Sequence, residues 1–403
     1  MKKIYFIGFL IIILLSFINC PTQDSNSGGG SGSGGSSSDD DQVVLSGLID
    51  TAFDIGTGPD NYINSIAIQP DGKIVIAGDF LTYNGTAIRK TARINTDGSI
   101  DLSFNPGSSV SGFIDKIAVQ NDGKIVIAGN FSKYNGTTRN NLLRINSDGS
   151  LDTSFDPGTG ADSRVKTITL QTDGKLLIGG YFENYNGINR NHIARINTDG
   201  SLDATFDPGT GATSTVISII EQPDGKIVIG GNFGAYNGTL RTCIARINTD
   251  GSLDATFDPG SGASSFVSSL AMQLDGKIVI GGVFTSYDDI SRIRIARINT
   301  DGSLDLSFDP GNGANDFINS LAILSDGKIV IGGNFTSYND ITRNHIARIN
   351  TDGSLDTSFA NGNGANENIN SIIIQQDNKI LIGGEFTSYN DTLINYIARI
   401  LGD

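Results

Sequence analysis

From residue 63 onward the apolar residues come in short runs with a strand period. Ile63-Asn64-Ser65-Ile66-Ala67-Ile68 is rich in β-branched residues and stops at Pro70-Asp71-Gly72. Lys73-Ile74-Val75-Ile76-Ala77-Gly78 follows, then the polar stretch TYNGTAIRK, then Ala92-Arg93-Ile94-Asn95. A second Asp-Gly pair, Asp97-Gly98, leads into Ile100-Asp101-Leu102-Ser103-Phe104. Asp-Gly between two such runs marks a tight hairpin, because glycine takes positive φ without steric cost. The pattern predicts four antiparallel strands, here a, b, c and d. No later window carries a helical apolar stripe, so no helix is expected beyond the N-terminus.

This unit repeats. The Asp that opens each a–b turn sits at Asp71, Asp122, Asp173, Asp224, Asp275, Asp326 and Asp377, always 51 residues apart. Phe80 to Phe386, Tyr83 to Tyr389 and Arg93 to Arg399 keep the same spacing. Seven copies without insertions mean one structural unit packed on itself, and a period near fifty suits propeller blades or a solenoid. The ends decide between them. Residues 46–54, SGLIDTAFD, align with the d segment of later units, and the last unit stops after its c segment at Ile400. A leading strand that completes the last blade closes a ring and leaves only short, protected edges. The expected fold is all-β: a seven-bladed β-propeller of four-stranded blades over residues 46–403.

The words GGNFTSYND, RNHIARINTDGSLD and DGKIVIGG together resemble the delta-60 repeat, a bacterial β-propeller family of unassigned function. The resemblance spans all seven units. It implies the propeller fold and a bacterial, often exported, setting, and it brings no catalytic residues with it.

Met1-Lys2-Lys3 precedes the apolar run IYFIGFLIIILLSFI and then Asn19-Cys20. A charged start and a short apolar stretch read as an export signal over residues 1–19. A Cys after such a run resembles a lipoprotein box, in which Cys20 would become the lipidated N-terminus; an ordinary cleaved signal and an uncleaved anchor are the alternatives. Residues 20–45, rich in Gly, Ser and Asp, cannot bury apolar surface and are expected to form a tether. The setting expected is therefore a bacterial cell envelope, with the chain held to a membrane by its lipid, periplasmic or at the surface.

The formal charge is −15, and removing Lys2 and Lys3 with the signal makes it −17. Such a surface repels nucleic-acid phosphates, so a nucleic-acid partner is not expected. A monomer with an unidentified protein or glycan partner is.

Candidate chemistry is sparse. Asn197, Asp199 and Asp203, with their equivalents in other units, have part of the spacing of a calcium loop. Arg195 stands where such a loop would begin, so the preferred reading is a c–d hairpin braced by Arg195 with Asp199 or Asp203. His192 and His345 share a column but lie three blades apart. The four glutamates, Glu183, Glu221, Glu367 and Glu385, fall in unrelated columns and offer no carboxylate pair. Cys243 has no disulfide partner if Cys20 is lipidated. Nothing calls for a cofactor, and no catalytic residue is assigned. A glycan hydrolase or lyase and a purely structural surface protein are the alternatives to a binding or scaffold module.

The a–b and c–d turns share one face of a propeller, and the longer b–c loops and d-to-a connections share the other. Units differ most on that second face, which is the usual arrangement for recognition. Tyr62, Phe113, Phe266 and Phe317 are expected to ring the channel mouth there, joined by Arg164, Asp60, Asp162 and Asp316. Aromatic rings beside carboxylates could stack on a sugar or anchor a peptide; the alternative is that the rings pack beneath the neighbouring connections.

Overall fold

In the first repeat, strand a (Ile63–Ile68) pairs with b (Ile74–Gly78), and b pairs with c (Thr91–Ile94), all antiparallel. This is a computed structural model, and it describes residues 46–402. The signal, Cys20 and the tether lie outside the described residues. Six more sheets repeat the a-b-c order, and no helix forms among the described residues.

Strand d is shorter than its sequence suggests. It survives as one bridge per blade, such as Ile94 with Ile100. Asp101 is the cause: its Oδ1 accepts the Ser103 N–H at 2.9 Å while its carbonyl accepts the Phe104 N–H at 3.2 Å. That side-chain-closed turn bends the chain off the sheet. The b–c loop, in turn, holds a hairpin too short to read from sequence, Thr82–Tyr83 with Thr86–Ala87. Asn84 and Gly85 at its tip have φ of 49° and 71°, the double left-handed geometry that matches strand twist.

The seven a strands meet side by side around a central channel, strand a of blade 7 (Ile369–Ile374) against strand a of blade 1. Across that last seam Asn370 Nδ2 donates to the Ile63 carbonyl at 3.2 Å, and Ser371 Oγ accepts the Ile66 N–H at 3.2 Å. The core lies between blades. Val267 and Leu270 of blade 5, for example, pack with Val228 of blade 4. From blade 3 to blade 7 that packing uses glycine where blades 1 and 2 have Ala77 and Ala128: a Cβ on Gly179 would sit 2.8 Å from Val216 Cγ1 of the next blade, and within blade 3 one on Gly180 would sit 2.3 Å from the Arg164 carbonyl oxygen.

The ring closes as its ends require. Ile49 bridges Ile400 antiparallel. Asp50 N donates to Arg399 O at 2.8 Å, and Leu401 N donates to Leu48 O at 2.8 Å. The leading segment thus supplies the last blade's outer strand.

Candidate binding face and channel

Strand a starts at the variable-loop face and ends at the Asp-Gly turns of the opposite face. The segment before it, Pro59 in blade 1, bridges Tyr83 of the b–c hairpin, and every blade repeats this contact. The segments that carry Tyr62, Phe113, Arg164, Phe266 and Phe317 thus lead into strand a beside the b–c hairpins.

Several have local duties. Asp60 Oδ1 accepts the N–H groups of Leu81 and Thr82 at 2.7 and 3.1 Å. Asp162 accepts those of Glu183 and Asn184 at 3.0 and 3.1 Å, plus the Asn184 amide. Ser111, Thr213, Ser264, Asn315 and Asn366 cap the same two N–H groups in their own blades. This column varies among Asp, Ser, Thr and Asn because any short acceptor suffices. Burial alone would raise the Asp60 and Asp162 carboxyls, but these donors hold both below the ordinary carboxylate range. Asp316 is half-buried and accepts the Phe317 N–H at 2.8 Å.

The aromatic side chains do not pack away. Phe113 is 50% exposed, and Phe266 and Phe317 are each 40% exposed. Cations of the preceding blade sit over two of them: Lys90 Nζ at 5.6 Å from the Phe113 centroid and Arg294 Cζ at 5.4 Å from that of Phe317. Tyr62 is half-buried; desolvation first, then Asp79, Glu385 and Asp115, raise its hydroxyl's pKa. Beside this rim a polar groove of about 800 Å³ runs between blades 2 and 3, lined by Ser111, Asn130, Asn140, Asn141, Asp162 and Asn184 among others.

Arg164 leans into the channel. Its Nε and Nη2 donate to the two Asp115 oxygens at 2.6 and 2.5 Å, and Lys166 Nζ donates to Oδ1 at 2.8 Å. The Asp115 side chain is 3% exposed. Behind it a cavity of about 300 Å³ is lined by strand-a residues of all seven blades. The sequence reading missed these residues, although their columns carried the signal. Asn64, Ser268, Asn319 and Asn370 each donate to a strand-a carbonyl of the next blade. Asp115, Lys166 and Ile217 interrupt that column, and Lys116 interrupts one that is otherwise Ser or Thr.

The c–d segment is a brace. Asp203 Oδ2 accepts from Arg195 Nε at 2.7 Å and Lys175 Nζ at 2.9 Å, while Oδ1 accepts from Thr205. Asp199 Oδ1 accepts from Ser201, and Asn197 Nδ2 donates to Ser201 Oγ. Among the described residues no three His, Cys, Asp or Glu side chains gather as a metal would require. His192 and His345 each place Nδ1 near a carbonyl of their own blade, Gly180 and Gly333, at 3.1 and 2.9 Å. Glu221 meets Gln171 Nε2 of the preceding blade at 2.7 Å. Cys243 is buried and free, and burial pushes its thiol up to about 11.

Comparison with known folds and families fits this architecture. The chain is similar to the WD40 β-propeller domain of Doa1 at 13% identity, covering 89% of this chain and 97% of that one, with a TM-score of 0.55. A catalytically inactive virginiamycin B lyase from Staphylococcus aureus with quinupristin is similar at 17% identity, 86% and 97% coverage, and a TM-score of 0.53. The extracellular domain of BT4673 from B. thetaiotaomicron gives 19% identity and a TM-score of 0.53, covering 87% of this chain and 39% of that one. Such identities speak for the fold alone. No curated protein matches the sequence. One family does, in seven segments: 69–104, 120–155, 171–206, 222–257, 273–308, 324–359 and 375–403. The chain belongs to the β-propeller family described as the domain of unknown function DUF5122.

Proposed function

We propose that this protein is an exported, lipid-anchored propeller that acts as a binding or scaffold module, with the variable-loop face as its recognition surface. The partner class that suits the face is a glycan or a polar protein segment. One observation carries this reading: Phe113, Phe266 and Phe317 hold one ring position in three blades and stay 40–50% exposed, and the segment next to Phe113 lines a groove of amides, hydroxyls and a carboxylate. Half-exposed rings next to convergent polar groups are what sugar stacking and side-chain anchoring use. The charged start and apolar run before Cys20 support export, and the Gly/Ser tether would let the ring reorient above a membrane.

A hydrolase or lyase finds less support. Asp115, the carboxylate of the channel wall, is bound by a guanidinium and an ammonium, and no second carboxylate lines the cavity with it. The test is a glycan array and pull-down with the full chain, against a variant with Tyr62, Phe113, Phe266 and Phe317 all replaced by Ala. Loss of a reproducible ligand with an unchanged melting curve supports the proposal. Unchanged capture by the folded variant contradicts it.

A further inference from the structure

The channel wall reverses the protein's charge. The whole chain carries −15, yet Arg164, Lys166 and Lys116 gather around the single carboxylate of Asp115 in the cavity wall or at its edge. That leaves an excess of two positive charges. Asp115 takes bonds from Arg164 and Lys166. Lys116 lines the same cavity, and among the described residues neither a hydrogen bond nor an ion pair engages its ammonium. The acids nearest the mouth do not neutralise it: Asp79 is paired with Lys90 at 2.6 Å, and neither Asp79 nor Glu385 lines the cavity.

Lys116 also breaks a structural rule to be there. Its counterparts Ser65, Ser269, Ser320 and Ser371 each accept a backbone N–H from the next blade at 3.1–3.2 Å. An ammonium cannot accept, so Lys116 forgoes that inter-blade bond. Asp115 likewise replaces an amide that donates across the seam in blades 1, 6 and 7. Two adjacent substitutions, each costing a bond of the ring, place charge in one small polar chamber.

We propose that this chamber binds a compact divalent oxyanion, a phosphate or a small dicarboxylate, with Lys116 and Lys166 as its cationic contacts and Arg164 joining them at the mouth. Burial, and secondarily the neighbouring Lys166, lower the pKa of Lys116, so the free site carries a cost that an anion would relieve. The volume of about 300 Å³ is at the small end of ligand pockets and admits such an anion with a few waters. The protein's outer negative charge does not cancel the attraction, because exposed charges beyond a Debye length of roughly 10 Å are screened at 0.1 M salt. Asn64 and Asn370, each with one amide hydrogen beyond its inter-blade bond, complete the wall. The site lies inside the ring, so it stands or falls independently of the variable-loop surface.

Calorimetric titration of the full chain with inorganic phosphate and with malonate, in a buffer free of other divalent anions, tests the proposal. Saturable binding of at least one of them is expected, with acetate weaker. Lys116→Ser restores the residue type of the column and is expected to fold at least as well while weakening binding by about tenfold or more. Asp115→Asn, the residue of blades 1, 6 and 7, removes the competing carboxylate and is expected to tighten binding severalfold. Absence of saturable heat from both anions up to about 10 mM, or equal affinity in wild type and Lys116→Ser, overturns the proposal.

Discussion

Arg399 Nε donates to Asp50 Oδ2 at 2.7 Å, although 349 residues separate them. In the other six blades the same bond joins residues only eight apart, as in Arg93 with Asp101 and Arg246 with Asp254. Each Arg also lies over a Phe ring at 4.7–5.3 Å. Each then reaches a carbonyl near the c–d turn of the next blade, or the equivalent point at the closure: Arg144 to Thr198, Arg348 to Gly402, Arg399 to Thr96. The Lys of every Asp-Gly-Lys turn, and Lys379 of the last blade, joins the same carboxylate. The recurring sequence words are therefore the parts of one buried staple, and the leading segment supplies its acid to the last blade.

Removing that acid should open the closure. Asp50→Ala leaves Arg399, whose side chain is 8% exposed, without its charge partner, and breaking such a buried pair costs about 3–5 kcal/mol. Urea unfolding checks it. Asp254→Ala should cost a similar amount within the ring, and an Asp50→Ala midpoint equal to wild type would refute the staple.

Acid should find the staples late. Burial raises the Asp101 carboxyl, but hydrogen bonds from Lys73, Ser103 and Arg93 outweigh it and hold it well below the usual range. The same sign holds for Asp50, Asp152, Asp203, Asp254, Asp305 and Asp356. A carboxyl with a lowered folded pKa stabilises fully above its unfolded value and loses that contribution as pH falls toward the folded one. The steep fall in melting temperature should therefore begin only below about pH 4. His192, whose charged form is disfavoured by burial, adds a shallow decline starting below about pH 6.5. A main transition between about pH 7 and 5 would contradict the assignment.

Two glycines should respond differently to alanine. At Gly180 a Cβ would meet the Arg164 carbonyl at 2.3 Å, so Gly180→Ala must part strands a and b and should cost several times what Gly187→Ala does. Gly187 has open space around its Cβ direction and a φ of +75°, so its replacement should cost about 1 kcal/mol. Equal losses in thermal unfolding would contradict the close approach.

Cys243 should be silent in the native state. It is 4% exposed with a raised thiol pKa, and only the thiolate reacts. Thiol labelling at pH 8 should be slow in buffer and fast in denaturant; rapid native labelling would show that the blade seam opens.

The blade count, the ring closure and the Arg195–Asp203 brace were legible because each follows from local pattern or from the period. The short d strand was not, since the turn made by Asp101 looks like a strand end in a string of letters. The channel was harder still. Lys116 and Asp115 stand out only once the fold turns strand a inward, where their departure from Ser and Asn columns acquires meaning. The column of Lys90, Asn141, His192, Cys243, Arg294, His345 and Tyr396 is similar. All seven have φ of 62–67°, a geometry that excludes β-branched residues but leaves the side chain free to vary.

Closure of the ring by its own N-terminal segment underlies both the shared rim and the channel. Ile49 and Ile400 face each other in an antiparallel bridge flanked by the Asp50–Arg399 and Leu401–Leu48 hydrogen bonds, the narrow pair geometry that suits a disulfide. Ile49→Cys with Ile400→Cys, in a Cys243→Ser background, should oxidise spontaneously to an intramolecular crosslink and stabilise the fold by about 2–5 kcal/mol. Two persistently free thiols, or crosslinking only between molecules, would contradict the closed ring.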